Sequence, residues 1–449
     1  LRVSILNFWS RYKIELLLFL AVFGVRFAYS LVVLYGFGQH GFVSFSDADM
    51  FVRQAERFLH DGVFSRFTIP PFSPDPLRTP VYLWFLAALL GSGLSFFGVV
   101  TVQNILAGCV GVCIYRIGKR LFSAPLPGII ATLLFAVEPS SIYWNNLLMS
   151  DSLFASLFLF SICFLVERRW YWFSVLFAIT TLTRPMGQYL FPLILVFLVA
   201  EQFFSLRGSF QERMRMVAWR PLLKRVTVMC LIFFSIVFPW MVRNKILFNH
   251  YELSTAGWLN LRLFTVEEFS RRNGIETTLP MPPPEYHPGE PDREPFYRYE
   301  FIIADYFKGN ILALFKEYPV ALPVFHITSG LQGIHNHDYG YILTYVVKAE
   351  FKQTPEFLGS LFIVAGRIFW LLVTLATLFA LTRENIGGFP WLFVGLILLN
   401  ALLIGHNALI SAGGRYNIPQ IPFWFLLGSY GWICGYRFLR EKIRSRHSV

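Results

Sequence analysis

The chain carries little charge: 15% of its 449 residues are Asp, Glu, Lys or Arg, against 55% hydrophobic residues. Soluble globular domains carry about 25% charged residues, so this balance excludes an ordinary water-soluble fold. Cysteine is also sparse. All five cysteines, Cys109, Cys113, Cys163, Cys230 and Cys434, fall inside apolar runs. They lack both metal-ligand spacing and loop pairing, which excludes a disulfide framework and a zinc site and leaves them as small packing residues. No glycine-rich phosphate loop precedes a helix, so a nucleotide site is not indicated. The alternating segments of about 10 residues that mark a β-barrel are missing, as is the internal repeat of a transporter.

Long apolar runs are present instead. Several approach or exceed the roughly 20 residues needed to cross a bilayer core of about 30 Å, and a chain in lipid must satisfy its backbone within helices. The runs predict ten spans, at 13–35, 98–116, 126–145, 149–166, 170–183, 187–206, 225–242, 358–381, 388–405 and 416–436. The first lacks a small-residue cleavage pattern and reads as a retained helix. Segment 78–97 is apolar too, but Pro80, Gly91 and Gly93 interrupt it, so it reads as a juxtamembrane or re-entrant element.

The net charge of +12 follows topology rather than nucleic acid. With ten spans, the basic clusters at Arg2 to Lys13, Arg116 to Arg120, Arg168 and Arg169, Arg207 to Arg225, Arg383, and Arg437 to Arg446 share one side. The positive-inside rule makes that side, and both termini, cytoplasmic. The expectation is an all-α polytopic membrane protein with about ten transmembrane helices, juxtamembrane helices and a small extracytoplasmic α cap. Its parts are a membrane module over 1–242 including outer loop 36–97, a cap over 243–357, and C-terminal helices with a basic tail over 358–449. In the first outer loop Phe51, Ala55, Phe58 and Leu59 form a helical stripe, with Arg53, Gln54, Glu56, Arg57 and His60 on the other face. The cap combines a proline-rich loop at 277–295 with an amphipathic stretch from Tyr297 to Phe325.

Ionisable residues crowd the outer side. In FSDADMFVRQAERFL, residues 45–59, Ser46 and Asp49 have capping-box spacing, and Asp47 and Asp49 are both placed to favour a helix N-terminus. Arg78, two residues before Pro80 in LRTPVY, puts a guanidinium at the membrane surface, where it either pairs with a phosphate or snorkels among headgroups. Asp151 opens the fourth span as a functional candidate or a cap, and Glu138, before Pro139, is a secondary candidate. Arg184, Arg243 and Arg415 lie at outer span ends, against the positive-inside rule, and suit either an anion or outer-side acids. In GIHNHDYG, His335, His337 and Asp338, and with them His406 and Asn407, read as surface groups, with metal binding or proton shuttling as the alternative.

In this order the pieces DADMFVRQA, LRTPVY, Asp151, TRPMG, FPWMVRNKILFNHYELSTAGWLNL and GGRYNIPQIP resemble the GT-C superfamily of polytopic glycosyltransferases. The branch is similar to bacterial protein O-mannosyltransferases and the lipid A aminoarabinose transferase. The resemblance implies a catalytic acid in the first outer loop, Asp47, four residues before Phe51, where the family usually has Tyr. It leaves Asp49 to the helix cap, and makes Asp151 a second acid near the acceptor or an optional divalent metal. It implies that Arg78 binds the carrier phosphate, with Arg415 and Arg243 as additional phosphate contacts. The implied donor is a sugar on polyprenyl phosphate, the acceptor an envelope glycan, lipid or protein. A lipid-pyrophosphate oligosaccharide ligase, a flippase and a non-catalytic assembly factor are the competing readings.

Overall fold

The computed structural model describes residues 2–65, 74–204, 206, 210–275, 296–342, 356–383, 388–409 and 413–447. Among them the chain is helical, without a strand. The expected proline-rich loop 277–295 lies outside the described residues. Five helices are long and apolar enough to cross a membrane: Tyr12–Val43, Phe96–Leu121, Trp219–Phe248, Gly359–Leu381 and Phe389–Asn407. The number rises to seven if two bent helix pairs each count as one span.

The membrane module begins with α1 (Arg2–Phe37), then α2 (Ser46–Asp61), α3 (Pro80–Gly91) and α4 (Phe96–Leu121). At twelve residues α3 is too short to cross. It buries Tyr82, Leu83, Leu86 and Ala87 and packs against α2. Next come α5 (Pro125–Val137), α6 (Pro139–Asn145), α7 (Ser150–Val166), α8 (Trp170–Thr181), α9 (Gly187–Phe204), α10 (Phe210–Met216) and α11 (Trp219–Phe248). Helices α1, α4 and α5 pack together, and α8 packs on both α7 and α11.

The α5–α6 bend of 60° has a local cause. Pro139 has no N–H to give the Phe135 carbonyl, which a continuous helix would require of the residue four positions on. Arg26 of α1, fully buried, fills the gap: its Nη2 donates to Phe135 O at 3.1 Å and to Ser141 Oγ at 2.9 Å, and its Nη1 to Ala136 O at 3.5 Å. The Glu138 carboxylate caps the new helix by accepting from the amides of Ser140 and Ser141. Glu138 thus has a structural task in the break, completed by a 3.0 Å hydrogen bond from Tyr339 Oη.

The stretch after α11 holds α12 (Ala256–Asn260), a π-helical turn at Leu261–Val266, α13 (Glu267–Asn273), α14 (Phe296–Glu317), α15 (Ala321–Gln332) and α16 (Tyr339–Ile342). The single amphipathic stretch expected from Tyr297 to Phe325 is two helices bent by 108°. A small apolar core of Val266, Phe269, Ile311, Leu314 and Leu322 holds this region together, separate from the main core. The chain returns through α17 (Glu356–Leu381) and α18 (Phe389–Ile404), then 3-10 turns at 405–409 and 413–420, into α19 (Ile421–His447). Helix α19 packs on α17 and on α5, which brings the 413–420 turn beside α6 and α7.

Candidate functional site

Helix α2 starts without a side-chain cap. Its N-cap position is Phe45, in extended conformation, so the expected capping box of Ser46 and Asp49 does not form. Asp49 instead pairs with Arg53 one turn along the exposed face, at 2.8 Å. The buried stripe also departs from expectation, for Leu59 is exposed and Gln54, placed on the polar face, is wholly buried. The reason is a partner: Gln54 Nε2 donates to the Asp75 carboxylate at 2.9 Å.

Asp47 points the other way, to the arginines. Its Oδ2 accepts from Arg415 Nη1 at 2.7 Å, across 368 residues of sequence, and its Oδ1 lies 3.5 Å from Arg78 Nη2. The Arg78 guanidinium lies 3.7 Å over the Phe51 ring, one turn along α2 from Asp47. Phe51 in turn meets Tyr82 of α3 edge-on at 4.8 Å. A stacked, hydrogen-bonded guanidinium is held in one orientation, which is how an arginine recognises a planar anion.

Asp151 begins α7, whose N-cap position is Met149, without a side-chain cap bond. The cap alternative for Asp151 therefore falls. Its carboxylate, 4% exposed, forms an ion pair with Arg184. Tyr416 joins this pair to the first: Arg184 lies 5.2 Å over its ring, and its hydroxyl accepts from Arg415 Nη2 at 3.2 Å. Three guanidiniums thus face these two carboxylates, leaving one positive charge among the five groups. Burial pushes the Asp47 carboxyl up, but Arg415, Arg78 and Arg184 outweigh it and hold the group below the usual carboxylate range. Asp47 is an anion at neutral pH, 29% exposed, and a weak base while it keeps these partners.

Arg243 has different partners. Its Nη1 donates to the Asp75 carbonyl at 3.1 Å and to Asn244 Oδ1 at 2.8 Å, and its guanidinium lies 4.5 Å over the Trp240 ring.

The expectation that the histidines of GIHNHDYG are surface groups holds for His335, which is exposed, and is overturned for His337. His337 is 2% exposed and stacks on Trp370 at 3.8 Å between ring centroids. Burial, and then His335, push its pKa well below the ordinary value, so it is a neutral packing group at pH 7. His335 donates to or accepts from Thr374 Oγ1 at 2.9 Å, and also faces Trp424. His406 is likewise buried, 3.4 Å from Ser329 Oγ. Among the described residues no group of three His, Cys, Asp or Glu side chains comes together to hold a metal ion.

Asp338 matters more than its neighbours suggested. It is 5% exposed, adopts a positive φ of 53°, and sits where a Cβ on Gly414 would come within 2.7 Å of its carboxyl carbon. The position before Arg415 therefore has to be glycine. Burial pushes Asp338 up to about 6, against the amides of Gly414 and Arg415, the Trp144 side chain and the Arg415 charge. Asn417 fastens the same junction by donating to the carbonyls of Gly333 and Asn336 at 2.7 and 2.8 Å. Tyr416 and Asp75 were not singled out in the sequence, and Gln54 was read there only as a polar-face residue of α2. Only Tyr416, beside Arg415 in GGRYN, carried a signal there.

Compared with known proteins, the chain matches no family model and no curated protein. The functional reading rests on the cluster itself.

Proposed function

We propose that the chain is an inverting glycosyltransferase of the GT-C kind. It moves a sugar from a polyprenyl-phosphate donor to an envelope acceptor at the outer face of the cytoplasmic membrane. The reading includes ten spans, cytoplasmic termini, and no nucleic-acid partner. The observation that carries it is the Asp47 carboxylate held between Arg415 and Arg78 in a partly exposed cluster of three arginines and two aspartates.

One surplus positive charge favours a phosphodiester, which is a monoanion, over the pyrophosphate of an oligosaccharide ligase, whose greater charge would need a further cation. Asp47 occupies the position of an anion between the two guanidiniums. A diester entering there displaces it, and losing its cations raises the basicity of Asp47 just when the substrate is in place. The acceptor atom then bonds to the anomeric carbon from the face opposite the phosphate. The carbon–oxygen bond to phosphate breaks, its electron pair goes to the phosphate oxygen, and Arg78 and Arg415 stabilise the charge that develops there. The acceptor proton passes to Asp47. The lipid tail stays in the bilayer, so the carrier needs no soluble pocket.

The test is sugar transfer from a polyprenyl-phosphate sugar by purified, folded Asp47→Asn protein. We expect turnover to fall by about 100-fold or more, the range for a positioned acid or base. Turnover equal to wild type sinks the assignment. A flippase or assembly factor would keep its activity in that variant. Mass spectrometry of envelope glycans and lipid-linked sugars in a deletion strain would name donor and acceptor.

A further inference from the structure

Arg78 lies on PDPLRTP, residues 74–80, a segment with prolines at 74, 76 and 80 and no regular backbone pairing of its own before α3. The three carbonyls before Arg78 are all taken by neighbouring stretches of one outer region. Asp75 O accepts from Arg243 Nη1 at 3.1 Å, Pro76 O from the Thr255 amide at 3.2 Å, and Leu77 O from the Ser254 hydroxyl. The Asp75 side chain, wholly buried, closes the segment from the other side. Its Oδ1 accepts from the Leu77 amide at 2.7 Å and its Oδ2 from Gln54 Nε2 at 2.9 Å.

Gln54 lies seven residues after Asp47, two helical turns along α2, so the two share a face. A closed circuit results: Asp47, α2, Gln54, Asp75, Leu77, Arg78 and back to Asp47. The separation of Arg78 from Asp47 is then fixed by rigid parts rather than by the freedom of an arginine side chain. From this circuit we propose that Asp75, Gln54 and Arg243 are positioning residues that set Arg78 against Asp47, and that Arg243 serves the anion site through the main chain of residue 75 rather than by touching the anion. The inference rests on the anion-site reading above and adds which residues build the site.

The effect is read as the Kd of full-length protein in detergent for farnesyl monophosphate, a short polyprenyl monophosphate. Arg78→Ala is expected to weaken binding about tenfold or more, the worth of one charge-assisted hydrogen bond. Asp75→Ala and Arg243→Met each weaken it about three- to tenfold in the same direction, while Asp75→Asn, whose Oδ1 still accepts from Leu77 N and whose Nδ2 can donate to Gln54 Oε1 once that amide turns over, stays within about twofold of wild type. The decisive variant is Asp75→Ala with Arg78→Ala, which binds no more weakly than Arg78→Ala alone, to within about twofold, because residues acting through one group are not additive. Should Asp75→Ala not fold, Gln54→Met and its combination with Arg78→Ala take its place. Additive losses, or unchanged binding in Asp75→Ala and Arg243→Met while Arg78→Ala binds weakly, overturn the inference and leave the anion site standing. Unchanged binding in Arg78→Ala overturns the anion site itself and the inference with it.

Discussion

Arg26 and Arg415 are both largely buried near a carboxylate, and they do opposite things. Arg26 gives its hydrogens to the main chain at the α5–α6 break, while Glu138 takes its own from two amides and Tyr339. The main-chain bonds there replace those that a continuous helix would have made. Arg415 gives its hydrogen to Asp47, side chain to side chain, at a place open to solvent on one side. An incoming anion can replace that bond without breaking any helix. The pair separates depth in the fold from an exchangeable partner, and the proposed function rests on the second.

The contrast breaks most visibly at Asp47. Asp47→Asn should lose turnover by the hundredfold or more given above while its unfolding midpoint stays close to wild type. Arg26→Met should show the reverse pattern. It leaves the Phe135 and Ala136 carbonyls buried without that donor, which costs roughly 2–5 kcal/mol. Denaturant unfolding in detergent would check it, and a loss below about 1 kcal/mol would mean the break is held by something else.

A pH titration sharpens the comparison. The Asp338 pKa is raised from 3.8 to about 6, so between those values the folded state holds a proton that the unfolded chain releases. Stability must therefore fall as pH rises from about 4 to about 6, and level off above. Asp47 adds nothing to that slope, since its depressed pKa contributes stability that is present above the unfolded value and lost only on further acidification. The melting temperature of Asp338→Asn across this range should lose the downward trend; an unchanged trend assigns it to another group. The smallest effect belongs to Asp49→Asn. Its pair with Arg53 is exposed, 46% and 58%, and the change should stay within about 0.5 kcal/mol. A larger loss would restore a capping role.

Much of the architecture was written in hydropathy, because a span in lipid must be apolar over a fixed length. Each of the ten expected spans falls largely on helix, although α8 has only twelve residues, and length and composition support five to seven crossings. Within the cluster, the residue types at Asp47, Arg78, Asp151, Arg184 and Arg415 were legible because charge beside an apolar run is conspicuous. Their pairing was not. Nothing local tells Asp47 from Asp49, two positions on, since the difference is which of them points at a turn 368 residues away. Gln54 was misjudged for the same reason: a polar residue on a helix counts as exposed until its partner, Asp75, is known. The motif of residues 335–337 looked wet because it is polar, and His335 is indeed exposed, whereas Trp370, contributed by α17, covers His337.

The Asp47–Arg415 bond also bears on how the molecule comes into being. At roughly 5–20 residues per second, a ribosome needs about 20–70 s to synthesise the 368 residues between the two partners. Throughout that interval the first aspartate of the cluster has been made while the arginine that completes it does not exist. The cluster closes only when the 413–420 turn has been made, so a nascent chain that stalls or is cut short upstream of Arg415 never assembles it.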